Sequence, residues 1–288
     1  MTIQPKAIYG IIGNPLTHSL SPLMHNAVFK ALSVNAVYKT FPLKEEQVEA
    51  FINDLREKDN PVFGLNVTVP YKEKVLKYMD SLHPFAEKVG AVNTIVISAD
   101  RKLRGFNTDG PGFLTHLTEL NFDARKKRVA VLGAGGSARA IIATLCMIPE
   151  RPESILIYSR TQAKADQLID DLSRRLDTMI VKSVASTDDL NIELTDLLIN
   201  ATPLGLNDDD DSLIPVGALH ANMLVYDLIY NPPETRLLTL AKEQGAKISN
   251  GLGMLFYQGV LSFQHWADIQ LNRETKKIMR QALEEGIK

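Results

Sequence analysis

The chain lacks most of what would tie it to an oxidising compartment, a membrane or a polyanion. Cys146 is the only cysteine among 288 residues, so no intrachain disulfide is possible. Lys and Arg number 32 against 34 Asp and Glu, a formal net charge of −2. The basic excess of a nucleic-acid-coating surface is therefore missing. No apolar run approaches the ~20 residues that a membrane-spanning helix needs. Met1 to Lys6 also shows no apolar core of a secretion signal, so a cytoplasmic protein is expected. What remains is ordinary for a folded chain: 45% hydrophobic and 23% charged residues. At roughly 100–200 residues per domain, the length suggests one large or two modest domains.

Strand-like and helix-like runs alternate along the sequence. Ile8 to Ile12, Val37 to Phe41 and Leu65 to Val69 read as short strands, with helical spacing over Pro22 to Leu32 and Glu45 to Glu57. From residue 129 the strands become almost wholly apolar: Val129 to Leu132, Ile155 to Tyr158, Leu197 to Ile199 and Val225 to Ile229. A parallel sheet covered on both faces requires such runs. Helices over Ala138 to Met147, Ala163 to Leu176 and Thr235 to Gln244 separate them, so a doubly wound βαβ series is expected. Met254 to Trp266 is apolar nearly all round and reads as a buried helix, followed by an amphipathic one over Arg273 to Glu285. The acidic run Asp208 to Asp211 reads as a solvated loop, since it lacks the spacing of a metal site.

Directly after the strand Val129 to Leu132 comes Gly133-Ala134-Gly135-Gly136-Ser137-Ala138-Arg139, a G-x-G-x-x-A pattern that opens a helix. Gly133 permits the turn, Gly135 admits a pyrophosphate against the backbone, and Ala138 lets helix and strand pack closely. The helix start supplies unpaired N–H groups and a partial positive charge. A chain built for NAD places Asp or Glu at the end of the next strand, to hold the ribose 2′-hydroxyl. Here that acid is absent. Ser159, Arg160, Thr161 and Lys164 stand there instead, with Arg139 one helix away. Cations and hydroxyls suit a 2′-phosphate, so the expected cofactor is NADP.

The first half concentrates polar residues in short motifs. Ser19-Leu20-Ser21-Pro22 precedes a helix, and Ser21 followed by Pro22 reads as an N-cap. Asn66-Val67-Thr68-Val69-Pro70-Tyr71-Lys72 reads as a strand running into a helix that starts at Pro70, which sets Thr68 and Lys72 at the carboxyl end of a sheet. Gly90-Ala91-Val92-Asn93-Thr94 and Asn107-Thr108-Asp109-Gly110 follow; Asp109 alone could be a cap for a helix starting near Pro111. His18 and His25 read as structural, and no metal is implied because no Cys or carboxylate cluster accompanies them.

Together these motifs resemble the shikimate dehydrogenase family. The likeness continues through Gly133-Ala134-Gly135-Gly136, Ser159-Arg160-Thr161, Asn200-Ala201-Thr202-Pro203-Leu204-Gly205, Tyr226-Asp227-Leu228-Ile229-Tyr230 and Gly251-Leu252-Gly253-Met254, and so spans nearly the whole chain. The resemblance implies reduction of 3-dehydroshikimate to shikimate with NADPH, in aromatic amino-acid biosynthesis. It implies that Ser19 and Ser21, with Tyr230, bind the substrate carboxylate. Thr68, Lys72, Asn93, Asp109 and Gln258 would hold the ring hydroxyls, with Lys72 and Asp109 as the catalytic pair. Gly251 and Met254 would lie against the nicotinamide. Leu228, counted with the cofactor residues, stands where Met is frequent, and Ser159 where Asn is common.

The fold class is thus α/β: an N-terminal α/β substrate domain over 1–108, completed by 251–288, and a doubly wound Rossmann domain for NADP over 109–250. The partner expected is a small-molecule substrate, with no nucleic acid and no membrane; a homodimer is left open. The competing readings are a quinate/shikimate dehydrogenase using NAD, a methylenetetrahydrofolate dehydrogenase and a non-catalytic NADP sensor. Neither of the last two accounts for the full set of motifs.

Overall fold

The computed structural model describes residues 7–17, 19–207 and 209–287. His18 and Asp208 lie outside them. The chain is α/β throughout and forms two compact units. One is built from residues up to Gly112 together with Phe256–Gly286, the other from Phe113–Leu255.

The first unit holds strands β1 (Ala7–Gly13), β2 (Ala36–Pro42), β3 (Val62–Val67), β4 (Ser81–Leu82), β5 (Thr94–Ile97) and β6 (Leu103–Phe106). Helices α1 (Ser21–Ala31), α2 (Glu45–Asp54) and α3 (Pro84–Val89) connect them. The sheet order is β2-β1-β3-β5-β6-β4. β1 pairs in parallel with both β2 and β3, and β5 runs antiparallel to β3 and β6. Ile12, Ile52, Leu65, Val75, Ile95 and Leu103 are fully enclosed at its core. β5 and β6 are too short to have stood out as strands in the sequence.

Along the chain, α4 (Asp109–Glu119) follows β6 and precedes the second sheet. The second unit then alternates β7 (Arg128–Leu132), α5 (Gly136–Met147), β8 (Ser154–Tyr158), α6 (Gln162–Ser173), β9 (Val181–Val184), β10 (Leu197–Asn200), β11 (Leu224–Asp227), α7 (Arg236–Glu243) and β12 (Lys247–Ser249). Its sheet order, β12-β11-β10-β7-β8-β9, is parallel at every pairing. The order reverses between β7 and β10, so this is the doubly wound arrangement whose ligands sit beyond the strand ends at that switch. Val129 to Leu132 and Leu197 to Ile199 are at most 2% exposed, which explains their unbroken apolar run.

Two helices close the chain. In α8 (Leu252–Ala267) no residue before Ala267 is exposed, as its all-round apolar surface requires. α9 (Arg273–Gly286) buries Thr275, Met279 and Leu283, one residue per turn along a single stripe.

Two local expectations are corrected. No α-helix starts at Pro70. Residues 68–71 form a turn, with the Tyr71 N–H on the Thr68 carbonyl at 2.9 Å, and a short 3-10 helix follows over Lys74–Tyr78. The reason is competition for a carbonyl: Lys72 O accepts the N–H of Val92 at 2.7 Å, while Leu76 N–H turns to Glu73 O at 3.3 Å. Nor does Ser21 cap α1. Leu20 occupies the cap position in a helical conformation, without a side-chain bond, and Ser21 is the first helical residue. Its buried hydroxyl hydrogen-bonds Tyr38 instead.

Candidate functional site

In the first unit, three chain segments converge behind the sheet end. The turn after β3 carries Thr68 and Lys72. The segment entering β5 carries Asn93, after a left-handed Gly90 (φ 69°) ends α3. The segment leaving β6 carries Asn107, Thr108 and Asp109. Lys72 Nζ lies 2.7 Å from Asp109 Oδ2, with side-chain exposures of 9% and 7%. The other carboxylate oxygen, Oδ1, accepts from Asn93 Nδ2 at 2.8 Å. Asp109 therefore does not cap α4. That task falls to Asn107, whose Oδ1 accepts the N–H groups of Asp109 and Gly110 at 3.2 and 3.5 Å. The Asn107 amide is itself held on the Ala91 carbonyl at 3.1 Å.

Gln258, from α8, reaches the same group: its Oε1 is 3.4 Å from Asn93 Nδ2. Lys72, Asn93, Asp109 and Gln258 thus come together within one unit, all at most 8% exposed. Thr68 is half-buried directly after β3, and Ser19 half-buried ahead of α1. Tyr230 belongs to the second unit, half-buried after β11. A buried ammonium hydrogen-bonded to a carboxylate can deliver or withdraw a proton at one fixed point and stabilise a developing alkoxide.

His25, read as structural, is wholly enclosed and stacks on Tyr38 at 4.5 Å. Burial drives its pKa down to about 3, so the ring is neutral. Cys146 is buried as well, and burial raises its thiol pKa to about 11.

In the second unit the turn after β7 fits a dinucleotide phosphate. Gly133 has φ +104°, and a Cβ there would sit 2.8 Å from the Ala201 carbonyl oxygen, so its own neighbours demand glycine. Gly135 differs, because a Cβ there would meet nothing within 4 Å. Nothing in this unit requires glycine at 135; a ligand against the backbone would. Gly135 caps α5 without any side-chain bond, leaving first-turn N–H groups for an anion. Ala134, Gly136 and Ser137 surround this cradle, Gly136 and Ser137 among its first helical residues, and Ala138 is fully enclosed against the sheet.

At the end of β8, Arg160, Thr161 and Lys164 are exposed and Ser159 is half-buried. Thr161 occupies the cap of α6 but does not use its hydroxyl there. Arg139 is placed otherwise than expected. It is 5% exposed, and its guanidinium pairs with Asp171 of α6 at 3.0 Å. Its charge is compensated, so the cationic group at the strand end is Arg160 with Lys164.

Gly251 and Leu228 are brought together. A Cβ on Gly251 would lie 2.0 Å from the Leu228 carbonyl oxygen, and Gly251 N–H bonds Ile229 O at 3.0 Å. Met254 is 6% exposed, and its N–H donates to the Tyr226 hydroxyl, which lies 2.6 Å from His116 Nδ1. Asp227 is a buried carboxylate that accepts from Thr235 Oγ1, Asn200 Nδ2 and Ile229 N–H at 2.7, 3.0 and 3.0 Å. It ties the ends of β10 and β11 to the following loop, and burial raises its pKa. Among the described residues no group of three His, Cys, Asp or Glu is placed to hold a metal, and no helix is long and apolar enough to cross a membrane.

The NADP(+) shikimate dehydrogenase of Methanopyrus kandleri is 41% identical to this chain over 286 residues, covering 98% of this chain and 96% of that protein. The chain belongs to the shikimate dehydrogenase family. The family's substrate binding domain matches residues 11–95. Among solved structures, shikimate 5-dehydrogenase from Thermus thermophilus, in complex with NADP(H) and shikimate, is similar at a TM-score of 0.83 and 31% identity, covering 97% of this chain and 99% of that one. Quinate dehydrogenase from Corynebacterium glutamicum, in complex with NAD, is similar at a TM-score of 0.86 and 27% identity, covering 97% and 99%.

Three polar residues of the first unit carry no role in the motifs: Asn66 (4% exposed) and Thr94 (fully enclosed) stand in them unassigned, and Ser262, also fully enclosed, stands in none. Asn66 interrupts the otherwise apolar end of β3 and Ser262 the buried helix α8, while Thr94 opens β5. That was the available signal.

Proposed function

We propose that this chain interconverts 3-dehydroshikimate and shikimate with NADP as the redox partner, a step towards chorismate and the aromatic amino acids. The observation that carries this reading is the buried Lys72–Asp109 pair at 2.7 Å, in a chain of this family. Bound NADPH would supply the hydride. Lys72 would protonate the oxygen that becomes the alkoxide and take the proton back in the reverse direction. Asp109 holds the ammonium, and Asn93 holds Asp109. Ser19 and Ser21, with Tyr230, would receive the substrate carboxylate; Thr68, Asn93 and Gln258 would receive ring hydroxyls.

The first unit would serve the substrate and the second the cofactor. Gly133 to Ala138 would hold the pyrophosphate. Ser159, Arg160, Thr161 and Lys164 would hold the 2′-phosphate, with Arg139 as the ion-paired support of α5 on α6. Leu228, Gly251 and Met254 would face the nicotinamide. A reading with NAD and quinate is disfavoured, because positions 159–164 offer cations and hydroxyls but no carboxylate for a free ribose 2′-hydroxyl. A cytoplasmic setting and a homodimer belong to the same reading, and sedimentation tests the latter.

The decisive experiment follows reduction of NADP spectrophotometrically with shikimate and quinate side by side, then repeats both with NAD. The expected result is turnover of shikimate with NADP well above the other three combinations. Turnover of neither substrate would overturn the proposal.

A further inference from the structure

Behind Asn93 lies a closed cluster of polar side chains in which Ser262 is the hub. The Ser262 hydroxyl donates to the Gln258 carbonyl at 2.9 Å and accepts from Asn66 Nδ2 at 3.0 Å. It lies 2.7 Å from Thr94 Oγ1 and 3.2 Å from Thr108 Oγ1. Asn66 Oδ1 in turn accepts the Tyr38 hydroxyl at 2.7 Å. Thr94 and Ser262 are 0% exposed and Thr108 1%, so none of these groups can turn to water.

Counting donors decides how the cluster is wired. Each hydroxyl carries one proton, and a side-chain amide carries two protons and two lone pairs. Asn93 Oδ1 accepts the Thr108 N–H at 2.8 Å and the Thr108 hydroxyl at 3.1 Å, which fills it. Asn93 Nδ2 gives one proton to Thr108 Oγ1 at 2.9 Å and the other to Asp109 Oδ1 at 2.8 Å. The proton of Thr94 then needs an acceptor, and Ser262 Oγ supplies it at 2.7 Å, its own proton being on the Gln258 carbonyl. Alanine at 262 would pack on this face of α8 as well as serine does. It would leave the Thr94 hydroxyl with Asn93 Oδ1, 3.0 Å away and already filled by Thr108, so the Asn93 side chain would shift from its seat beside Asp109.

We propose that Ser262 is a positioning residue for the catalytic pair: by accepting the Thr94 proton it leaves Asn93 Oδ1 to Thr108, which keeps Nδ2 seated on Asp109. Ser262 touches neither Lys72 nor Asp109 and acts through Thr94 and Asn93. The inference rests on the reaction proposed above.

The test is Ser262→Ala in the full chain, assayed with shikimate and NADP, alone and combined with Asn93→Ala. A role through Asn93 predicts a fall in kcat of about tenfold, the size of one buried hydrogen bond. KM for NADP should stay within about twofold. In the Asn93→Ala background the same change should lower kcat by less than about twofold, since coupled residues are not additive. A kcat of Ser262→Ala within about twofold of the parent overturns the proposal, as does an equal tenfold loss in the Asn93→Ala background. Should Ser262→Ala lose its fold, Ser262→Cys keeps the volume with a weaker acceptor and is read by the same criteria. A parent chain that turns over no shikimate fails the proposed reaction itself, an outcome distinct from an active parent indifferent to position 262.

Discussion

Removing Lys72 separates its chemical role from its structural one. The ammonium is 9% exposed and bonded at 2.7 Å to a carboxylate that is 7% exposed, so Lys72→Ala deletes a proton donor and strands a buried negative charge. General acid–base groups contribute ~10²–10⁴-fold, so kcat should fall by that factor, about 3–5 kcal/mol of barrier. Breaking a buried pair by taking one partner costs roughly 3–5 kcal/mol of stability. Asn93 Nδ2 still holds Asp109 Oδ1, which sets the expectation at the lower end. Lys72→Met separates charge from void, because it keeps most of the volume. Combining it with Asp109→Asn removes the stranded charge and should recover stability while activity stays lost. The assays are initial rates with shikimate and NADP, and urea midpoints on the same preparations. A kcat for Lys72→Ala within about threefold of the parent would refute the assignment. So would a double variant that regains activity along with stability.

The other predictions address the cofactor loop, a glycine contact and a buried histidine. Hydrogen bonds to charged groups are worth ~1.5–3 kcal/mol, so Arg160→Ala should raise KM for NADPH roughly 10- to 100-fold and leave NADH almost unchanged. Equal effects on both cofactors would count against a 2′-phosphate site. Gly251→Ala places a Cβ 2.0 Å from the Leu228 carbonyl oxygen, a backbone atom that cannot swing aside. Its thermal midpoint should drop by several degrees, given about 1–3 kcal/mol for overpacking. His25 has its pKa lowered from 6.5 to about 3, so the native state keeps it neutral while the unfolded chain binds a proton below 6.5. Stability is then full above pH 6.5 and falls as pH drops towards 3, by about 1 kcal/mol between pH 6.5 and 5.5. His25→Phe should flatten that part of the urea-midpoint profile, and an unchanged slope would exclude His25 as its source.

What could be read from the sequence follows the range over which the determining interactions act. The doubly wound sheet was legible because burial on both faces stamps an apolar run on each of β7, β8, β10 and β11. The turn at Gly133 was legible because a positive φ leaves its mark on a single residue. Interactions between distant segments left weaker traces. The Tyr71–Lys72 segment has helix-forming neighbours, yet Val92, twenty residues on, takes the Lys72 carbonyl that a helix would need. Arg139 counted with Arg160 and Lys164 as a cation for the ribose 2′-phosphate until α6 brought Asp171 against it. Thr94 and Ser262 are 168 positions apart, and no local pattern pairs them. The site therefore divides into residues whose type and motif announce chemistry, such as Lys72 and Asp109, and residues that restrict how those groups point. The second kind resembles core until the fold places its hydroxyls face to face. A serine in the middle of an apolar buried helix is the trace such residues leave, because an unpartnered hydroxyl there would carry a desolvation penalty. It is sound to ask of every such serine which polar atom offsets its burial; at 262 the path ends on Asp109.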